Sequence, residues 1–335
     1  VGCRSGKNLM MGKPGNHILV IKHGALGDFI LATGPFQAIR ATYPDAHITL
    51  QTTEPFVDMA RQGGWFDDIW VDHKPKIWQP GAWMEMRNRL NSSNFSCIFD
   101  LQTSARTSWY FKLLRSPKPD WSGVAEGCSH PHANAFRDEM HTIERQAEQL
   151  HMAGIKDVPS PDVSFLTSDI SRFDLPEEYA LLVPGGAAHR PGKRYPAIAY
   201  REIARHMAKQ GIAPVIIGAK AEADVCAEVA RDVPLGRNLC DQTTLADIAE
   251  LARNARVTIG NDTGPMHLIA PTGCKTVVLF STDSDPKLCG QRGPDVTILS
   301  AMMTSGIPFL DVVETAGLGR GGDHFTGIKV TRMEP

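Results

Sequence analysis

Short β-branched runs alternate with amphipathic stretches along most of the chain, and this alternation limits the fold more than any other feature. A strand that returns through a helix to a second strand must run parallel to it, with the helix packed on the sheet face. Strands are expected at residues 17–22 (HILVIK), 47–53, 68–72 and 97–102, with a helix from about 29 to 42 and helical patterns at 83–90 and 141–153. The second half repeats the scheme, with strands at 180–183, 214–217, 257–259 and 276–280 and helices at 197–210, 222–231, 245–254 and from 266 onward. Thr244 is placed to cap the third of these helices and Gly211 to stop the first. Residues 166–178 are polar and irregular and read as a linker.

The expected architecture is therefore α/β, with two Rossmann-like domains at residues 17–165 and 179–335 facing a central cleft. Open α/β sheets bind ligands at the carboxyl ends of their strands, so both sheets are expected to present those ends to the cleft. The last segment is expected to pack back on the N-terminal domain. A length of 335 residues suffices for two cores. A net charge of −2 speaks against a nucleic-acid footprint, which needs a surplus of Lys and Arg. No apolar run has the length to cross a bilayer. Seven scattered cysteines, an odd number, suit reduced thiols in a cytosol. Residues 1–16 carry Arg4, Lys7 and Lys13 but no apolar core; they read as a disordered leader, not a secretory signal.

Three segments carry chemistry. The first, His23-Gly24-Ala25-Leu26-Gly27-Asp28, lies between the first strand and the first helix. Gly24 and Gly27 allow a sharp turn and close ligand approach, but they are not in register for a dinucleotide fingerprint. Asp28 reads either as a helix N-cap or as a general base. The second segment, residues 184–196 (PGGAAHRPGKRYP), sets Gly185 and Gly186 before His189, Arg190, Lys193 and Arg194. Glycine N–H groups beside clustered cations suit a diphosphate better than they suit a solvated loop. The third, residues 260–268 (GNDTGPMHL), opens a helix after a strand, with Asp262 or Thr263 as cap and Pro265 tolerated in the first turn. By itself it reads equally as a well-capped helix, and His267 as a structural histidine.

These segments resemble the ADP-heptose:lipopolysaccharide heptosyltransferases, glycosyltransferase family 9. The resemblance rests on HILVIKHGALGDFILATGPFQAIR, PGGAAHRPGKRYP and NDTGPMHLIAPTG, with weaker matches at residues 99–102, Arg106, Ser108 and 137–154, and covers roughly residues 17–315 in order. It implies a GT-B type fold, acceptor binding in the N-terminal domain, donor binding in the C-terminal one, and an inverting, metal-independent transfer. Asp28 would be the catalytic base, and Lys193 would neutralise the departing diphosphate. Asp262, Thr263, Gly264, Pro265, Met266 and His267 would line the donor site with Gly185, Gly186 and Arg190, and Glu222, beyond Gly218, would reach the ribose. Gly24, Gly27, Gln102, Arg106, Ser108 and His141 are the acceptor-side candidates. The partners implied are a nucleotide-sugar donor, ADP-heptose, and a lipid-linked glycan, handled by a cytoplasmic monomer that touches the inner membrane and uses no cofactor. A different nucleotide sugar and envelope glycan, a nucleotide-sugar epimerase and a non-catalytic binding protein are the competing readings. The match loosens over residues 300–335.

Two patterns compete with metal independence. Asp283-Ser284-Asp285 is a D-x-D of the type that holds divalent ions, but beside Pro286 it reads as a turn. Cys128, His130, His132 and His141 fall close together without the spacing of a zinc site. All six tryptophans, at 65, 70, 78, 83, 109 and 121, lie in the N-terminal half. Most are expected in the core, with one or two free to stack on sugar or rest at a membrane surface.

Overall fold

A computed structural model describes residues 17–186, 190–319 and 329–333. The expected leader and residues 187–189 of the glycine-rich loop lie outside these. The chain divides after Pro161 into two compact units.

The first unit runs β1 (His17–Ile21), α1 (Leu26–Ile30), α2 (Thr33–Thr42), β2 (His47–Thr52), α3 (Val57–Gly63), β3 (Asp68–Val71), α4 (Pro80–Ser92), β4 (Cys97–Asp100), α5 (Ala105–Leu113), β5 (Asp120–Gly123), β6 (His130–Pro131) and α6 (Thr142–Met152). Its sheet has the order β3-β2-β1-β4-β5-β6, and every pairing is parallel. Ile18, Leu19, Val20 and Ile21 are all fully buried, as a central strand covered on both faces requires. Leu19 and Ile21 meet Trp70, Tyr110 and Trp121 in one core cluster.

The single helix expected over 29–42 is two helices. Pro35 lacks the N–H that a continuous helix would donate to the Leu31 carbonyl, and the chain breaks at Leu31 and Ala32. That carbonyl is taken by the Gln146 side chain of α6 at 3.1 Å.

The second unit runs β7 (Tyr179–Val183), α7 (Ala197–Lys209), β8 (Ala213–Ile216), α8 (Ala223–Ala230), β9 (Arg237–Asn238), α9 (Leu245–Asn254), β10 (Thr258–Asn261), α10 (Gly264–Ile269), β11 (Thr276–Ser281), α11 (Pro286–Cys289), β12 (Val296–Ala301), α12 (Phe309–Thr315) and β13 (Lys329–Met333). Its sheet order is β13-β12-β11-β10-β7-β8-β9, parallel except for β13. Thr244 caps α9 as expected, accepting from the Asp247 N–H, and Gly211 follows α7 with a φ of +79°. The helix expected from 266 onward has only six residues, because Pro271 and the left-handed Gly273 end it.

One expectation about the connections is corrected. The stretch placed as a linker at 166–178 belongs to the second unit, which begins at Asp162. Arg253 of α9 donates to the Val163 and Leu166 carbonyls at 2.7 Å each, and Ser168 and Arg172 both bond the Asp247 carboxylate. Backbone without regular structure is thus secured by side chains that its own sequence does not reveal. Of the last segment, residues 329–333 form β13, antiparallel to β12 in the second unit's own sheet.

Candidate functional site

In the first unit the chain leaves β1 through Lys22 and His23 and turns at Gly24, whose φ of +93° glycine adopts without penalty. A side chain there would overlap the Phe56 ring. Asp28 follows in the middle of α1. Ala25 holds the N-cap position, so Asp28 is not the cap.

Asp28 lines a cavity of about 70 Å³ with Lys22, Gln102, Thr103, Arg137, Arg145, Gln146 and Gln149. Its carboxylate is the one acidic group among those lining residues, and no hydrogen bond or ion pair holds it among the described residues. The cations around it are anchored elsewhere. Lys22 Nζ donates to the Leu101 carbonyl and to Gln146 Oε1, both at 3.2 Å. Arg137 reaches Asp138 at 2.8 Å and the Thr103 hydroxyl at 3.3 Å, and Arg145 donates to the Thr142 hydroxyl at 3.3 Å. Gln149 is fixed by the Asp100 carbonyl at 3.0 Å. Burial pushes the Lys22 ammonium below its ordinary range, against the pull of Asp28.

Two buried carboxylates stand behind this wall. Asp72 accepts from Tyr110 Oη at 2.6 Å, Gln51 Nε2 at 3.1 Å and the Lys74 N–H at 2.7 Å, and lies 2.9 Å from His23 Nε2. Burial alone would raise its pKa; the hydrogen bond and charge of His23, with Tyr110 and Lys74, outweigh burial and bring it down to about 2. Asp100 ends β4 and accepts from the Gln102 and Thr103 N–H groups at 3.1 and 2.9 Å. There burial wins, and its carboxyl is pushed up to about 6.

The acceptor-side candidates divide. Gln102 joins Asp28 in the cavity and bridges the turn, accepting from the His23 N–H at 2.8 Å and donating to the Gly24 carbonyl at 3.4 Å. Gly27 is buried in α1 directly before Asp28. Arg106, on α5, donates to the Pro75 carbonyl at 2.9 Å, and Ser108 sits on the same helix; neither lines the cavity. His141 does not line it either: buried, it caps α6 by accepting from the Ile143 N–H at 3.2 Å.

In the second unit the segments after β7, β8 and β10 meet at the carboxyl ends of the strands. Asn261 is the hub. Its Nδ2 donates to the Pro184 and Gly185 carbonyls at 2.9 Å each, while Oδ1 accepts from the Tyr195 N–H and Tyr200 Oη, both at 3.1 Å. Lys193 Nζ donates to Asp262 Oδ2 at 2.8 Å, and Gln291 Nε2 to Asp262 Oδ1 at 3.1 Å. Thr263 occupies the N-cap of α10 without a side-chain cap bond, its hydroxyl buried and unpartnered among the described residues. Gly264 and Pro265 form the first turn of α10, with Met266 and His267 buried behind them.

Glu222, the ribose-side candidate, lies between β8 and α8. One carboxylate oxygen accepts from the Gly186 N–H and the other from the Ala219 N–H, both at 2.8 Å, so it ties two loops together. A side chain at Gly185 would overlap this carboxylate, and one at Gly218 would crowd it and Cys226. Arg190 is exposed.

The two competing metal patterns have other work. Asp285 caps α11, accepting from the Lys287 N–H at 2.9 Å. His132 pairs with Glu148 at 3.0 Å and His130 lies 3.9 Å from Asp120. No group of three or more potential ligands gathers among the described residues.

Sequence reasoning missed Lys22, Arg137, Arg145, Gln146, Gln149, Asn261 and Gln291 as site residues. Lys22 and Asn261 had a signal, each being a polar residue that ends an apolar strand where ligands bind. The others reach their sites only through tertiary folding.

Comparison with known proteins gives the family and the fold. The chain matches Glycosyltransferase family 9 (heptosyltransferase) over residues 83–308, well over half its length. It is 28% identical to Lipooligosaccharide heptosyltransferase 2 of Haemophilus influenzae over 104 residues, a match spanning 30% of each chain. Among solved structures, a glycosyl transferase family 9 protein from Veillonella parvula superposes with a TM-score of 0.80 at 19% identity, covering 93% of this chain and 98% of that one. The E. coli heptosyltransferase WaaC, solved with ADP-2-deoxy-2-fluoro heptose, gives a TM-score of 0.70 at 18% identity, covering 89% and 98%. At such identities the solved structures share the fold, the two-unit parallel α/β architecture expected of the GT-B type. The chain belongs to glycosyltransferase family 9, the heptosyltransferase family.

Proposed function

We propose that this protein transfers heptose from ADP-heptose to a hydroxyl of a lipopolysaccharide inner-core acceptor, by a single inverting displacement that needs no metal ion. The observation that carries the reading is the Asp28 cavity, where one carboxylate without a bonded partner is ringed by anchored cations. A carboxylate with open lone pairs can take the proton of an attacking hydroxyl, and one such group suffices when no covalent intermediate forms. Lys22, Arg137 and Arg145 suit an acceptor bearing acidic groups beside the reacting hydroxyl.

The opposite task, stabilising charge on the departing diphosphate, falls to Lys193. Asp262, itself held by Gln291, keeps that lysine in place, and preorganised cations of this type stabilise developing charge without reorganising. Glu222 positions the loops at Gly186 and Ala219 and is assigned no ribose contact.

The test is release of free ADP from ADP-heptose that depends on an added inner-core acceptor and persists after exhaustive chelation. An epimerase or a non-catalytic binding protein gives no such release, and loss of activity on chelation removes the metal-independent mechanism.

A further inference from the structure

Trp65, Trp70 and Trp121 lie in the core, but Trp78 and Trp109 are 74% and 58% exposed, and Ile77 is 91% exposed. These side chains do not sit on a loose segment. Residues 74–79 are tied by Arg106, which donates to the Pro75 carbonyl at 2.9 Å, by Trp83 Nε1, which donates to the Lys76 carbonyl at 3.1 Å, and by the Lys76 N–H, which donates to Gln79 Oε1 at 2.7 Å. Trp83 packs edge-on against Tyr110 with ring centres 6.0 Å apart, so the loop is fixed between α4 and α5. Trp109 precedes Tyr110 on α5 and lies one helical turn beyond Arg106, on the helix face that ties down the loop. A fixed loop that keeps Ile and Trp in water has an apolar surface left to cover.

Charge indicates what covers it. Lys76 Nζ stands 5.2 Å over the Trp78 ring, and Lys112 Nζ 4.8 Å over the Trp109 ring. Residues 74–118 contain eight Lys and Arg against two carboxylates, one of which, Asp100, is buried, in a chain whose net charge is −2. We infer that Ile77, Trp78 and Trp109, with Lys76 and Lys112, form a docking surface for an anionic lipid bilayer. Indole rings favour the headgroup boundary, where one end is apolar and the other wet, and the exposed isoleucine reaches the acyl region. The ammonium groups meet lipid phosphates as their stems lie along the apolar surface. The inference stands on this surface alone and does not depend on which sugar is transferred.

Cosedimentation of the full chain with vesicles tests it. The chain is expected to bind vesicles of phosphatidylethanolamine and phosphatidylglycerol, to release in high salt, and to bind phosphatidylcholine vesicles weakly. A triple substitution Ile77→Ser, Trp78→Ser and Trp109→Ser is expected to weaken binding at least about tenfold. Lys76→Glu with Lys112→Glu is expected to weaken binding to the anionic vesicles by about tenfold or more. All five side chains lie outside both charged sites, so the melting temperature and turnover on a detached, water-soluble acceptor should hold. Failure of the native chain to sediment, equal binding to phosphatidylcholine, or variants that bind as the native chain does would overturn the proposal. So would a concentration-dependent dimer that the triple substitution abolishes while vesicle binding survives.

Discussion

Asp28 and Asp262 each follow a central parallel strand, β1 and β10, yet the two units hold them in opposite ways. Asp262 is fully engaged: one oxygen takes Lys193, the other Gln291, and little of the pair is exposed. Asp28 has no bonded partner among the described residues, although Lys22, Arg137 and Arg145 line the same cavity. Those cations are instead tied to the Leu101 carbonyl, Asp138 and Thr142. A locked carboxylate can only position a neighbour, whereas one with open lone pairs can accept a proton. The same location in two similar sheets thus suits two different tasks.

The contrast breaks most sharply at Asp28. Asp28→Asn keeps the size of the side chain and removes the base, so turnover should fall by about 10²–10⁴-fold, the usual worth of a general base. Donor affinity should change little, as titration with ADP would check. Near-normal turnover would put the base elsewhere and leave the open carboxylate without a task.

Lys193→Ala should cost about 100-fold in kcat/KM, the order expected for one preorganised charge at a leaving group. Asp262→Asn keeps a neutral acceptor for the lysine and should cost less. The double variant should lie close to the lysine variant, since two residues acting as a unit are not additive. Fully additive losses in that cycle would mean that Asp262 acts on the substrate directly, and the distinction between the two carboxylates would fail.

The wall behind Asp28 predicts a pH signature confined to the first unit. Asp72 moves from the ordinary 3.8 down to about 2, so its stabilisation is complete above pH ~4 and is lost as the pH falls toward ~2. Asp100 moves from 3.8 up to about 6, so folding favours its protonated form, and that advantage is lost as the pH rises through ~6. Asp72→Asn should therefore cost on the order of 2 kcal/mol at neutral pH and flatten the acid limb of the urea-unfolding profile. Asp100→Asn should flatten the limb between pH ~4 and ~6 instead. Matching profiles for the two variants would show that His23 and Tyr110 do not set the Asp72 carboxylate apart.

Much of this was legible in the sequence, for reasons that differ by element. Central strands such as HILVI, YALLV and TVVLFS announce themselves because helices cover both their faces and nearly every position is apolar, the polar residues falling at the strand ends. The short strands β5 (DWSG), inside its sheet, and β9 (RN), at an edge, carry no such pattern and form because neighbours pair with them. Likewise, Asp28, Lys193 and Asp262 stand out as charges or polar residues beside glycines at strand ends. Arg137, Arg145 and Gln149 reach the Asp28 cavity from far along the chain, and no local spacing marks them. Glu222 was legible as a site residue, but its two backbone N–H partners, on separate loops, were not.

That double attachment supports the last and smallest effect. Glu222→Gln retains one acceptor oxygen and replaces the other with an amide donor, which must face either the Gly186 or the Ala219 N–H. One of the two loops is released, at a cost of about 1–2 kcal/mol, the penalty for an N–H that loses its charged acceptor. If Glu222 only holds the loops, the loss should appear as weaker binding of ADP and of adenosine-free pyrophosphate alike, with kcat little changed. A direct contact to ribose would instead weaken ADP and leave pyrophosphate untouched. The ratio of the two affinities, read by calorimetry on the native chain and the variant, separates a tether from a ligand contact. It also shows whether the second unit holds its loops as firmly as it holds Lys193.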